Sequence, residues 1–284
     1  MSHAEPQPAP PARVTRPWLR AALWGLLVVD VAIVAGRLWL PWVSATDLAI
    51  HTWVLTIRTP LGGQLVTDFT NLGRTLPMLV IGLVATTTLF LVYRRAAVWA
   101  VMLIVPVCSV GTTESLKAIF RLTRPDVSGA VAPFEDSFSF PSGHTLNSTA
   151  IIGALAYLTC WLAHRAWVRI VAVVAACAWI VAMGLSRVYL GHHWPSDVAL
   201  GWSLGLTWLV ALIWAHRAWL KRRGAAEPGT STASATLRAC LSADSSRPGT
   251  SPRRQGEPSA KGTLRAGAFG TAGGSIWCSV PSVG

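Results

Sequence analysis

Six stretches of this chain are apolar over a length that spans or nearly spans a bilayer: Trp18 to Leu40, Leu76 to Tyr93, Val98 to Thr113, Leu146 to Ala163, Val168 to Leu185 and Val198 to Ala215. No soluble core needs so many. Backbone in lipid has to satisfy its own N–H and C=O groups, so each stretch is expected to be a helix. The expected fold is therefore all-α, a six-transmembrane-helix bundle. Pro106, inside the third stretch, removes one backbone donor and is expected to kink it.

The composition agrees, with 52% hydrophobic and only 13% charged residues. Many of the 15 Trp flank the apolar runs, where indole rings favour the headgroup boundary. The net charge of +12 does not form one patch, and no zinc, helix-turn-helix or RNA-binding signature accompanies it, so nucleic acid is not an expected partner. The five Cys show no metal or disulfide spacing and read as inert thiols.

Lys and Arg sort by side. With a cytoplasmic N-terminus, the inner segments hold Arg13, Arg16, Arg20, Arg94, Arg95, Arg165, Arg169, Arg217, Lys221, Arg222 and Arg223. The outer ones keep Arg37, Arg58, Arg74, Lys117, Arg121, Arg124 and Arg187. The positive-inside rule then puts both termini in the cytoplasm, with the plasma membrane as the expected location.

Three parts follow. Residues 1–16 are Pro/Ala-rich and read as a disordered N-terminal segment; residues 17–223 form the membrane domain; residues 224–284 are a low-complexity tail with too little apolar surface to offset ordering entropy. Between the first two spans, Thr46 to Gly73 interleaves Leu48, Trp53, Leu61, Leu65 and Phe69 with polar residues and is expected to be an interfacial helical segment.

Three polar clusters interrupt the apolar chain: Lys117 to Pro125, Pro141 to His144, and Ser186 to Asp197. The count of spans puts all three on the outer face. In the first, Lys117, Arg121 and Arg124 stand at i, i+4 and i+7 and are expected on one face of a continuing helix, with Glu114 one turn earlier in reach of Lys117. In the second, Ser142 and Gly143 open a helix whose N–H groups form an anion site, and His144 adds a group that exchanges protons near neutral pH. In the third, His193 and Asp197 are spaced so that the carboxylate can fix the imidazole tautomer. Either alone has an ordinary explanation as a helix start. Asp30 in the first span is an intramembrane acid, expected to pair with a neighbouring helix. His51 and Asp68 lie in the outer segment, where a lone His is usually only solvated.

The three clusters read KAIFRLTRP, PSGH and SRVYLGHHWPSD. Their pattern resembles the type 2 phosphatidic acid phosphatase superfamily, over the core from about Trp18 to Arg217. The resemblance implies a membrane phosphatase acting on a lipid phosphate or a polyprenyl or other lipid pyrophosphate, without a metal or other cofactor. It implies that His193 attacks phosphorus and becomes a phosphohistidine, that Asp197 orients it, and that His144 protonates the leaving oxygen. Lys117, Arg124, Ser142, Gly143 and Arg187 would bind the phosphate. Only the spacing selects His193 over His192, and Arg121 falls outside the pattern. A lipid phosphotransferase with the same site and a non-enzymatic lipid-anion transporter are the alternatives.

Overall fold

The structure, a computed structural model, describes residues 17–222; the segments 1–16 and 223–284, with Cys240 and Cys278, lie outside the described residues. The described residues form the helices α1 Pro17–Trp39, α2 Pro41–Ile57, α3 Pro60–Asn71, α4 Thr75–Tyr93, α5 Ala97–Phe120, α6 Gly143–Leu162, α7 Ala166–Tyr189 and α8 Pro195–Arg222, with a 3₁₀ turn at Val127–Gly129. Six of them, α1 and α4 to α8, are long and apolar enough to cross a membrane, and the chain is an integral membrane protein. Their exposed Val28, Val31, Leu83, Val107, Ile170 and Val174 suit contact with acyl chains.

The α6 helix is the axis of the bundle. It is 61% buried over its spanning window, against 17% for α1, α4 and α7, and it packs on α4, α5, α7 and α8. Small side chains make that possible. On α8, a Cβ added to Gly201 would lie 2.9 Å from Thr145 Cβ and 3.0 Å from the Ser142 carbonyl, so the two helices meet there backbone to backbone. Towards the other end of α6, Ile151, Ala154, Leu158 and Leu162 join Met78 and Val101 in the main apolar core. Asp30 pairs with a neighbouring helix as expected, accepting from Thr207 Oγ1 at 2.7 Å.

The interfacial region holds two helices, and the first begins earlier than Thr46. Pro41 and Pro60 each occupy a first helical position, where the missing N–H costs nothing, and Thr59 Oγ1 caps α3 by accepting from the Gly62 N–H at 3.1 Å. One face of α2, Asp47, His51 and Val54, is buried, while Trp42, Leu48 and Trp53 are exposed. His51 is thus not a solvated loop residue: its ring sits 5.5 Å from that of Trp194, and burial, then Arg58, holds its pKa below the ordinary value. Asp68 is exposed on α3.

The first polar cluster departs from expectation. Pro106 lies within α5 without ending it, and the helix stops at Phe120. Arg121 takes a left-handed conformation, φ 49°, and donates its N–H to the Lys117 carbonyl at 3.0 Å. Pro125 disfavours helix for the residue before it, which suits this early stop. Lys117, Arg121 and Arg124 therefore do not share a helical face, and Arg121 Nε turns back to the Ala118 carbonyl.

Candidate active site

The C-terminal ends of α5 and α7 and the N-terminal ends of α6 and α8 meet at one end of the bundle, and residues 121–142 cross over them. Each element delivers one part. The last turn of α5 supplies Lys117, whose Nζ donates to Ser137 Oγ at 3.0 Å. The last turn of α7 supplies Arg187, only 1% exposed, whose Nη1 donates to Thr70 Oγ1 at 3.1 Å. Between α7 and α8 the chain reverses through Gly191 at φ 75°, where a Cβ would lie 2.7 Å from the Gly129 carbonyl, so only glycine fits that turn.

That turn presents His193. The His192 and His193 N–H groups both point back to the Arg187 carbonyl, at 3.1 and 3.3 Å. The two rings then diverge. His192 Nε2 lies 2.6 Å from the Val131 carbonyl, while His193 is 1% exposed and enters the cation cluster. Its Nε2 is 3.0 Å from Arg124 Nη1 and its Nδ1 is 3.3 Å from Asp197 Oδ2. A guanidinium can only donate, so the network assigns the lone pair to Nε2 and the proton to Nδ1. Burial first, then Arg124 and Arg187, push the His193 pKa well below its ordinary value, and the ring is neutral at pH 7.

Asp197 has a second task. At the third position of α8 it accepts from the Trp194 N–H at 3.0 Å, half of a capping box, and it also takes a short hydrogen bond from Ser139 Oγ. Its own carbonyl accepts from the Ser142 N–H at 3.1 Å, which ties the start of α6 to the start of α8. Ser142 is the N-cap of α6, with its Oγ accepting from Thr145 Oγ1 at 3.0 Å, and Gly143 lets the helix start close to Thr113 of α5.

Arg124 holds the crossover segment together. Its Nε donates to the Ser137 carbonyl at 2.7 Å, Nη1 to the His192 carbonyl at 2.7 Å, and Nη2 to Ser137 Oγ at 3.0 Å.

Of the residues expected from sequence, His144, His193, Asp197, Lys117, Arg124, Ser142, Gly143 and Arg187 all lie at this end of the bundle. Three more belong beside them. Ser137 and Ser139 orient the cations and the carboxylate, and nothing in their local sequence marks them. Glu135 stands at the centre: its carboxylate makes a short ion pair with Arg187 Nη2, lies 2.8 Å from Arg124 Nη2, and comes within 3.9 Å of His144 Nδ1 and 4.0 Å of His193 Nε2. Burial acts to raise its pKa, but the opposing charges, Arg187 foremost, hold it down to about 2. The adjacent acidic pair Glu135-Asp136, in the segment that joins α5 to α6, was the available signal. Beside it opens a cavity of about 410 Å³, lined by Arg74, Glu114, Lys117, Glu135, His144 and Asn147 among others.

The chain matches the model of the PAP2 superfamily over residues 95–221. It is 35% identical over 169 residues to phosphatidylglycerophosphatase B of Bacillus subtilis, covering 58% of this chain and 80% of that protein. It is 30% identical over 131 residues to undecaprenyl-diphosphatase of Sulfolobus acidocaldarius, covering 44% of this chain and 59% of that one. A crystal structure of a transmembrane PAP2 type phosphatidylglycerolphosphate phosphatase from Bacillus subtilis superposes with a TM-score of 0.60 at 28% identity, covering 71% of this chain and 96% of that one.

Proposed function

This chain belongs to the PAP2 superfamily and is a phosphatase of that kind, and from that premise we propose that it hydrolyses a lipid phosphate or lipid pyrophosphate through a phosphohistidine on His193. One observation carries the reading: His193 Nε2 is aimed into the cation cluster with its lone pair free of a proton, held there by Asp197 behind and Arg124 beside it. In the first step the Nε2–P bond forms as the bond from phosphorus to the leaving oxygen breaks, and His144 gives that oxygen a proton. Lys117, Arg124, Arg187, the Ser142 hydroxyl and the Gly143 N–H bind the nonbridging oxygens, where transition-state charge resides. In the second step His144 takes a proton from water as the water oxygen bonds to phosphorus, the Nε2–P bond breaks with its electron pair returning to His193, and inorganic phosphate leaves.

A buried Arg187 whose Nε has no partner among the described residues is a donor suited to such an oxygen. The substrate's acyl or prenyl tail stays in the bilayer while its headgroup reaches the site from the outer face, with both termini in the cytoplasm. The distribution of Lys and Arg between the two ends of the spans supports that orientation.

The test is phosphate release by the detergent-purified protein from phosphatidic acid, phosphatidylglycerophosphate and undecaprenyl pyrophosphate, with EDTA present. Turnover without an added acceptor, and its loss in His193→Ala, is expected. Strict dependence on a divalent metal, or turnover only with an acceptor alcohol, overturns the hydrolytic scheme.

A further inference from the structure

Among the buried carboxylates to which the mechanism gives no task, Asp47 lies nearest in structure to the His193 turn. Asp47 on α2 is 3% exposed and lies far in sequence from every phosphate-site residue, yet it is bonded to the first turn of α8. Its Oδ1 accepts from the Ser196 N–H at 2.9 Å and its Oδ2 from Ser196 Oγ at 2.6 Å. Arg37 Nε stands 3.6 Å from Oδ2 and balances the charge.

A helix start has N–H groups with no partner inside the helix. In α8 the Pro195 position has no N–H, the Trp194 N–H goes to Asp197, and the Ser196 N–H goes to Asp47. Asp47 is thus a cap supplied by another helix. It fixes the residue between the turn that carries His193 and the carboxylate that orients it. Two further residues on the same buried face of α2 pack around that turn: His51 meets the Trp194 ring, and Val54 packs with Val188 on α7 and Val198 on α8, the helices on either side of it. The opposite face, with Trp42 and Trp53, is exposed and apolar.

We propose that Asp47 is a positioning residue for the phosphoryl transfer: acting through Ser196, it anchors the first turn of α8 to the interfacial helix α2 and so holds His193 and Asp197 in line with the cation cluster. It touches neither substrate nor the reacting atoms. The inference rests on the His193 reading above.

The experiment compares Asp47→Ala, Asp47→Asn and Asp47→Glu with the full-length protein in detergent micelles, using phosphatidylglycerophosphate as substrate, and records kcat, KM and inhibition by inorganic phosphate and by vanadate. In the proposed scheme vanadate, as a mimic of the five-coordinate transition state, would take the His193 imidazole as an apical ligand, whereas phosphate would be held mainly by the cations. For Asp47→Ala, kcat falls roughly ten- to a hundredfold and vanadate inhibition weakens in parallel, while KM and phosphate inhibition stay within about twofold. Asn still accepts from the Ser196 N–H, so Asp47→Asn recovers to within about threefold of the unchanged protein.

A folded Asp47→Ala with kcat within threefold of the unchanged protein overturns the inference. So does weakening of KM, phosphate and vanadate inhibition together with a lowered melting temperature, or an Asn variant as impaired as Ala. If Asp47→Ala is not recovered folded, Asp47→Glu decides: it keeps the buried charge beside Arg37 but misplaces the oxygens, so a three- to tenfold loss of kcat at constant KM is expected, and an unchanged kcat is fatal. His193→Ala in the same assay separates the two readings. An active His193→Ala removes the phosphohistidine scheme and this inference with it, whereas an inactive His193→Ala beside a normal Asp47→Ala removes this inference alone.

Discussion

Two buried histidines at opposite ends of α8 make an instructive pair. His216 is 7% exposed, with Nδ1 2.8 Å from Tyr157 Oη, a Trp161 ring edge-on at 4.8 Å and Trp219 stacked at 6.0 Å. His193 is 1% exposed, and its neighbours are Arg124, Asp197, Glu135 and Ser139. Burial is common to both. What differs is the company: aromatic rings fix an imidazole by packing and one hydrogen bond, whereas a guanidinium in front and a carboxylate behind dictate which nitrogen keeps its lone pair. Function therefore follows from the charges arranged around the ring, and a buried histidine by itself says little.

The sharpest way to break this contrast is to truncate each ring. His193→Ala is expected to lower phosphate release by roughly 10⁴-fold or more, while His216→Ala leaves kcat within about threefold and costs stability instead. Equal losses of turnover would erase the distinction. Arg124→Ala comes next, with kcat down by roughly 10²- to 10³-fold, since it removes both a proposed oxyanion donor and the group that selects the His193 tautomer. Then comes His192→Ala, expected to cost less than about tenfold, because that ring serves the Val131 carbonyl; an inactive His192→Ala with an active His193→Ala would transfer the nucleophile to the neighbour.

Glu135 sharpens the comparison from the other side. Replacing it by Ala leaves the buried Arg187 without its carboxylate, at a cost on the order of 3 kcal/mol before solvent screening of the part-exposed Glu135 is discounted. A lowered melting temperature is expected, with vanadate or phosphate raising it more than in the unchanged protein, since a bound anion restores the missing charge. The smallest effect is on pH. The Glu135 pKa is depressed, so its contribution is complete above its ordinary value near 4.5 and is lost as pH falls towards about 2. The His193 pKa is also depressed, so the unfolded chain binds its proton first, and stability declines as pH drops below about 6.5. Thermal melts from pH 7.5 to 4 should therefore show a smaller acid-side loss of stability in His193→Ala than in the unchanged protein.

Much of this architecture was legible because lipid enforces strict rules. Six apolar runs gave six helices, and their count alone predicted that Lys117, His144 and His193 would meet at one end. The end of α5 was not legible: the i, i+4, i+7 spacing of Lys117, Arg121 and Arg124 suited a helix, and the left-handed Arg121 that ends it belongs to a residue type with no special preference for that conformation. The two-helix form of the interfacial segment was written in Pro41 and Pro60, but only if read as helix starts. Ser139 and Asp47 were hidden for a different reason. Each acts on a carboxylate or an N–H more than 50 positions away, and such pairings are set by tertiary packing that no local pattern encodes.

The seam at Gly201 has a further consequence. The distance between the helix start that carries Gly143 and the one that follows His193 is a gauge set by a close backbone approach, with Thr145 Cβ and the Ser142 carbonyl directly against the glycine. A single added methyl group there would act as a wedge, opening the gap between the His193 imidazole and the start of α6 without altering one atom of the proposed phosphate contacts.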